Sequence, residues 1–279
     1  MKTVAAITMV RNGGFFLEKW VDWYGSRLGK ENLYIIFDGA DQVPPPCTDG
    51  CHVSVVPRVE GKVAQGDRGR AAILSEKAAA LFGEYRFVIG TDVDEFIIPD
   101  PSTGLDLVEF LSSLDTAGRV SFSPLGLDVV QHTEKEPSLD MDVPVLSQRS
   151  YAFLSTRYTK ASILCMPAQW GSGLHRVKKQ NFKIVSDLYL FHLGCADAAG
   201  LDSRLEDTDL KSRGWSRHLG KRKRLFDEVR RLPARDFDTW VPRVRRMQTL
   251  LRPPYAWNKP SMYGVRILVR IPERFRGLL

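Results

Sequence analysis

Three carboxylates stand together in Thr91-Asp92-Val93-Asp94-Glu95-Phe96, between the apolar runs Phe87–Gly90 and Phe96–Ile98. Short apolar runs rich in Val, Ile and Phe read as strands buried on both faces. The acids therefore fall where a buried strand emerges, on a crowded and partly dry edge. Side chains alternate along an extended chain, so Asp92 and Asp94 point to the same side. Neighbouring carboxylates raise each other's pKa unless a cation neutralises them. Mg²⁺ or Mn²⁺, a hard cation that takes oxygen ligands, suits such a pair and bridges carboxylates to phosphates. A solvated acidic turn is the plainer alternative, and the upstream pattern bears on the choice.

That pattern alternates strands and helices. Thr3–Val10 reads as a first strand, broken by Arg11-Asn12-Gly13-Gly14. Phe16, Trp20, Trp23, Tyr24 and Arg27 then follow at helical spacing, which predicts an amphipathic helix over Phe16–Leu28 with Gly29 as its stop. Asn32–Phe37 is a second buried strand ending at Asp38, and His52–Pro57 a third. A helix over about Arg68–Phe82 leads to a fourth strand, Tyr85–Gly90, which delivers the acids. Strands separated by helices imply right-handed crossovers and a mainly parallel sheet, whose ligands collect at the strands' carboxyl ends. Arg11, Asp38, Asp92 and Asp94 all fall at those ends.

The ordered set Met9-Val10-Arg11-Asn12, Leu17-Glu18-Lys19-Trp20, Ile36-Phe37-Asp38-Gly39 and Asp92-Val93-Asp94-Glu95-Phe96 resembles family-2-type glycosyltransferases, in the branch whose metal motif reads D-x-D-E-F. The resemblance covers about residues 3–195. It implies a GT-A-like (Rossmann-like) α/β fold and a nucleotide-sugar donor. It further implies Mn²⁺ or Mg²⁺ as cofactor, a glycan or lipid-linked acceptor and direct displacement with inversion. Asp38 would then contact the base or ribose, Asp92 the ribose or metal, and Asp94 the metal. His192, in Phe191-His192-Leu193-Gly194, resembles the late histidine that closes the metal or diphosphate site. On its own, a His ending the apolar run Leu188–Phe191 reads equally as a core-edge residue bonded to backbone. The chain departs from the commoner pattern at Arg11-Asn12 and at Ser123-Pro124-Leu125-Gly126, so the acceptor and the general base are not given by the resemblance.

A departing diphosphate gathers negative charge, which a divalent ion stabilises as a Lewis acid and basic side chains can share. Arg11, Arg68, Arg70 and Lys77 lie near the expected strand ends, and Arg70 and Lys77 are spaced to share a helix face. Solvated helix cations are the alternative. An acceptor hydroxyl needs a proton acceptor; Asp128 and His175 are the candidates for this catalytic base, with an ordinary structural role as the alternative for each. Trp170, in Trp170-Gly171-Ser172-Gly173, reads as an aromatic platform or as loop packing.

A chain of 279 residues with 43% hydrophobic and 26% charged residues is ordinary for a globular enzyme with a large core. Two parts are expected: residues 1–195 as the nucleotide-sugar and acceptor domain, and residues 196–279 as a basic helical extension. Apolar runs are too short to span a membrane, and Lys2 with its short apolar run suits a first strand better than a signal peptide. The cysteines, Cys47, Cys51, Cys165 and Cys195, are expected to be free thiols in a reducing cytoplasm; Cys47, Cys51 and His52 lack a fourth partner for structural zinc.

Charge is divided unevenly. Residues 1–210 carry 21 Lys and Arg against 28 Asp and Glu, whereas residues 211–279 carry 19 against 5. The excess, including Lys221-Arg222-Lys223-Arg224, falls on expected amphipathic helices. Such helices suit an anionic membrane surface or an acidic glycan, with peripheral attachment to the inner face of a membrane the expectation; a solvated helix face packed on residues 1–195 is the alternative. Nucleic acid is not, since no reader motif accompanies the charge. Two other function classes fit parts of the pattern: a nucleotidyltransferase acting on sugar phosphates, and a non-catalytic module that binds anionic polymers.

Overall fold

A computed structural model describes residues 1–61 and 63–279. Its strands are β1 (Lys2–Val10), β2 (Leu33–Asp38), β3 (His52–Val56), β4 (Tyr85–Gly90), β5 (Glu95–Pro99), β6 (Ser121–Val130), β7 (Tyr151–Leu154), β8 (Ile163–Leu164), β9 (Ile184–Cys195), β10 (Arg235–Asp236) and β11 (Ile267–Arg270). The helices are α1 (Gly14–Leu28), α2 (Val63–Leu81), α3 (Leu107–Ser112), α4 (Val145–Gln148), α5 (Ala198–Glu206), α6 (Thr208–Ser212), α7 (Ser216–Arg231) and α8 (Phe237–Leu250).

The α/β class is the one expected. β3, β2, β1 and β4 lie side by side and parallel. Alternation along β1 explains why both faces of this half are covered. Val4 and Ala6 join the core under α1 with Leu17, Trp20, Val21 and Tyr24. Ala5, Ile7 and Met9 join the opposite core under α2 with Ala71, Leu74 and Ala78. β8 then joins β4 to β6 by antiparallel pairing, and β9 runs parallel to β6 while β5 lies antiparallel to β9. The sheet is thus mixed, its parallel half first in sequence. The carboxyl ends of β1, β2 and β4 share one edge, as parallel pairing requires. The pairing of His192 with Glu95 and with Asp128 brings the ends of β6 and β9 to the start of β5.

Residues 196–279 are built into this core. β11 pairs with β7 and β10 with β11, extending the same sheet. Phe237, Val241, Val244, Val269 and Phe275 belong to the core under α1, while Leu219, Leu225, Phe226 and Val229 of α7 pack on Val130, Phe153 and Cys195. The division expected at residue 195 therefore divides neither sheet nor core. The amphipathic pattern of α7 and α8 was legible, but their buried stripes alone could not say what they cover. No helix among the described residues is long and apolar enough to cross a membrane.

Candidate functional site

The acids emerge from β4 into a network of opposite charges. Asp92 Oδ1 accepts from Arg70 Nη2 at 2.9 Å, and its Oδ2 from Lys160 Nζ at 3.1 Å. Lys160 is 2% exposed and also lies 2.5 Å from Glu95, which is fully buried. Burial raises the Asp92 pKa, but the charges of Lys160 and Arg70 outweigh it and hold the carboxyl well below the usual range. Burial pushes the Glu95 carboxyl up, with Lys160 opposing and the charges of Asp92 and Asp94 adding to the rise. Lys160 itself stays protonated because Asp92 and Glu95 outweigh its desolvation.

Asp94 turns the other way. Its Oδ2 is 3.3 Å from His192 Nε2 and 3.8 Å from Arg204 of α5. Burial raises its pKa, but His192 and then Arg204 bring it down to about 2. Behind the imidazole, His192 Nδ1 is 2.9 Å from Asp128 Oδ1, to which Arg222 Nη2 donates at 2.8 Å. The ring of Tyr158 stacks on His192 with centroids 3.8 Å apart. Asp128, Arg222 and Tyr158 thus fix the imidazole so that Nε2 faces Asp94.

This arrangement bears on a metal. A ligating His presents one nitrogen to the ion and the other to a carboxylate that sets its tautomer, and His192 is held in that manner. Gly194 lies so close to the ring that no side chain fits between it and the Asp94–His192 pair. A Cβ there would stand 2.7 Å from His192 Nε2 and 3.1 Å from Asp94 Oδ2. Asp94 and His192 therefore fit a divalent ion. Among the described residues no three His, Cys, Asp or Glu side chains form a group for one, so remaining ligands would come from phosphate oxygens and water, as is usual for Mg²⁺. The expectation that Asp92 and Asp94 grip one ion together is not the arrangement seen, because both Asp92 oxygens are engaged by cations.

Arg11 donates to the Asp38 carbonyl at 2.9 Å and pairs with Asp41 at 2.6 Å. The Asp38 carboxylate accepts from the Val59 amide at 2.7 Å, bracing the turn after β3. Both lie at the expected strand ends. Lys77 does not: its Nζ lies over the ring of Tyr34, near the amino end of β2, two helical turns below Arg70. Asp128 is removed as a base because it is 4% exposed and held by Arg222 and His192. Trp170 is 1% exposed and donates to the Ala161 carbonyl, so it packs the loop. His52 stacks on Tyr34, which leaves Cys47 and Cys51 without it.

His175 remains beside the acids. Burial and the charges of Lys160, Lys259 and Arg157 push its pKa well below the usual range, so the ring is neutral. Its Nδ1 is buried without a hydrogen-bond partner among the described residues. Lys160, Tyr158, Arg204 and Arg222 surround the acids and His192 and were missed by the sequence pattern. Lys160 had one signal, a lone cation in Thr159-Lys160-Ala161-Ser162-Ile163-Leu164; Arg222 was hidden inside a basic run.

No protein-family model and no curated protein is similar to this chain. Among solved structures, it is similar to mannose-1-phosphate geranyltransferase from Thermus thermophilus, at 12% identity over all of this chain and 75% of that one, with a TM-score of 0.32. It is similar also to S. aureus TarS, at 10% identity over 89% of this chain and 48% of that one, with a TM-score of 0.38. The chain spans about half the length of TarS, and at these scores the fold rests on its own strand order.

Proposed function

We propose that this chain is a glycosyltransferase that moves a sugar from a nucleotide-sugar donor to an acceptor hydroxyl, with Mn²⁺ or Mg²⁺ held by Asp94 and His192. One observation supports the reading above the rest: Asp94 and His192 stand 3.3 Å apart, with Gly194 packed against both, at the carboxyl edge of a parallel α/β half-sheet. Asp128 behind His192 and the ordered motifs ending in Asp92-Val93-Asp94-Glu95-Phe96 support it.

The bound ion would act as a Lewis acid on the departing diphosphate. The chain's own residues divide the rest. Asp128 and Tyr158 keep the His192 ring in one tautomer and plane. Lys160 and Arg70 each engage one oxygen of Asp92 and keep the carboxylate ionised, and its remaining lone pairs would face a ribose hydroxyl. Burial and the charges of Lys160, Lys259 and Arg157 favour the neutral His175 ring, and its unpaired ring nitrogen suits it to accept a hydrogen bond from the acceptor's hydroxyl.

The test is donor consumption. Incubation with a panel of nucleotide sugars and Mn²⁺ should release a nucleoside diphosphate, with loss of the signal in chelator and in Asp94→Ala. Pyrophosphate release from a nucleoside triphosphate and a sugar phosphate would point to nucleotidyl transfer instead. No turnover with any donor would sink the reading.

A further inference from the structure

Beside His175 the chain builds a rim that the transfer site above does not use. The segment after α8 alternates outward and inward: Tyr255 and Trp257 are 77% and 59% exposed, while Ala256 and Asn258 between and after them are buried. Two large aromatics exposed two residues apart offer ring faces to a partner. Asn258 pins the segment to the His175 loop, its Nδ2 donating to the Val177 carbonyl at 2.8 Å and its Oδ1 lying 3.4 Å from Arg176 Nη1. Lys259 and Trp257 are therefore carried to the neighbourhood of Arg176.

The rim gathers charge of one sign. Among the described residues neither Lys259 nor Arg176 has a carboxylate partner. Lys259 is held below the usual lysine range by burial and then by Arg157 and Arg176. Like charges brought together at a partly buried rim are unfavourable until an anion joins them. Flat aromatic faces next to cations suit a sugar ring that carries an acid group, since the ring's C–H faces stack and the acid pairs.

We infer that the acceptor is a saccharide bearing an anionic substituent, its acid group held by Lys259 and Arg176 and its rings lying on Trp257 and Tyr255. The inference rests on the glycosyl-transfer reading and names the acceptor class of the same site. The shared chemistry is an anion on a sugar; carboxylate and phosphate are its two sources.

Calorimetric titration of the full chain tests it, with trigalacturonate against maltotriose and glucose 6-phosphate against glucose. The charged member of at least one pair should bind about tenfold more tightly, the size of one charge-assisted hydrogen bond. Which pair shows the preference identifies carboxylate or phosphate. The Lys259→Ala/Arg176→Ala double variant should erase the preference, and Trp257→Ala should weaken charged and neutral saccharides alike. Equal binding within both pairs, or a preference that survives the double variant, would overturn the inference. A nucleoside diphosphate with Mn²⁺ is titrated into the same proteins. If the double variant loses that ligand, the cations serve the donor, and the inference fails while the transfer reading stands. If the parent chain binds no nucleoside diphosphate, the transfer reading fails and the acceptor assignment goes with it. Thermal melts confirm that each variant is folded.

Discussion

Lys160 lies between Asp92 and Glu95, 3.1 Å from one and 2.5 Å from the other, with all of its ammonium taken out of bulk water. Removing one member of a buried ion group strands its partners, which stay charged or take up a proton, at a cost of up to about 3–5 kcal/mol. Lys160→Met should therefore lower the free energy of unfolding by about that amount, read from urea denaturation at pH 7. Adding Glu95→Gln to it should restore part of the loss, because one uncompensated charge is then gone. A Lys160→Met protein as stable as the parent would show that the ammonium is not buried.

His192 and its backing carboxylate make a second prediction. If Asp128 sets the imidazole for a divalent ion, Asp128→Asn should weaken Mn²⁺ binding about 10–100-fold. The substitution also frees Arg222, so some loss of stability accompanies it. Manganese titration followed by electron paramagnetic resonance reads the affinity directly. Unchanged Mn²⁺ binding in a folded Asp128→Asn protein, together with unchanged binding in His192→Ala, would remove the metal from this site.

The basic run of α7 separates into two kinds of residue. Arg222 is buried and bonds Asp128, Tyr158 and Cys195, whereas Lys221, Lys223 and Arg224 are exposed. Arg222→Ala should be strongly destabilising, while Lys221→Ala and Arg224→Ala should stay within about 0.5 kcal/mol of the parent. The exposed members are the ones able to meet an anionic surface. Flotation with anionic vesicles at low salt should recover the parent protein and lose a Lys221→Glu/Arg224→Glu variant. Equal recovery with neutral and anionic vesicles, or no recovery with either, would dismiss an anionic membrane surface as what these exposed charges meet.

Particular residues show how far the sequence was legible. Local periodicity and β-strand alternation fixed the order of β1 to β4 and delivered Arg11, Asp38, Asp92 and Asp94 to one edge, because parallel strands leave little choice about which ends meet. Asp128 and His192 were both found, but their relation was not. It depends on β6 and β9 pairing in a register that no local pattern encodes. Lys77 was misjudged because helical spacing gives a shared face but not depth along the strands. Of the two partners of Asp92, Arg70 was legible at a strand end, while Lys160 was hidden for the same reason as Arg222: each comes from far along the chain, through packing rather than spacing.

Asp100 gives the molecule a predictable acid limb. It follows β5, is 2% exposed, and meets Arg274 in two hydrogen bonds of 2.8 and 3.0 Å. Burial raises its pKa, but Arg274 and the Ser102 amide lower it further, so the folded carboxyl titrates below its unfolded value. A depressed carboxyl stabilises the fold above the unfolded pKa of roughly 3.9, and that contribution disappears as pH falls through the folded pKa. Asp100→Asn should be less stable than the parent at pH 7, and the two melting temperatures should converge below about pH 4. A gap that stays constant across this range would mean that the ion pair does not form.

Gly194 offers the sharpest separation of binding from folding. A Cβ there would lie 2.5 Å from His192 Cε1 and 2.7 Å from its Nε2, closer than any packed pair tolerates, and the imidazole is clamped from behind by Asp128 and above by Tyr158. The ring cannot retreat without breaking one of these contacts, so the methyl must either crowd Nε2 and Asp94 Oδ2 or push Nε2 away from Asp94. Either outcome removes a ligand position, while the backbone of β9 stays paired on both sides with β5 and β6. Gly194→Ala should keep a cooperative melt, lose Mn²⁺ affinity by at least the 10–100-fold of a disturbed support, and release less nucleoside diphosphate from the donor in proportion. Full donor turnover in a folded Gly194→Ala protein would show that the space between Asp94 and His192 is not where the chemistry happens.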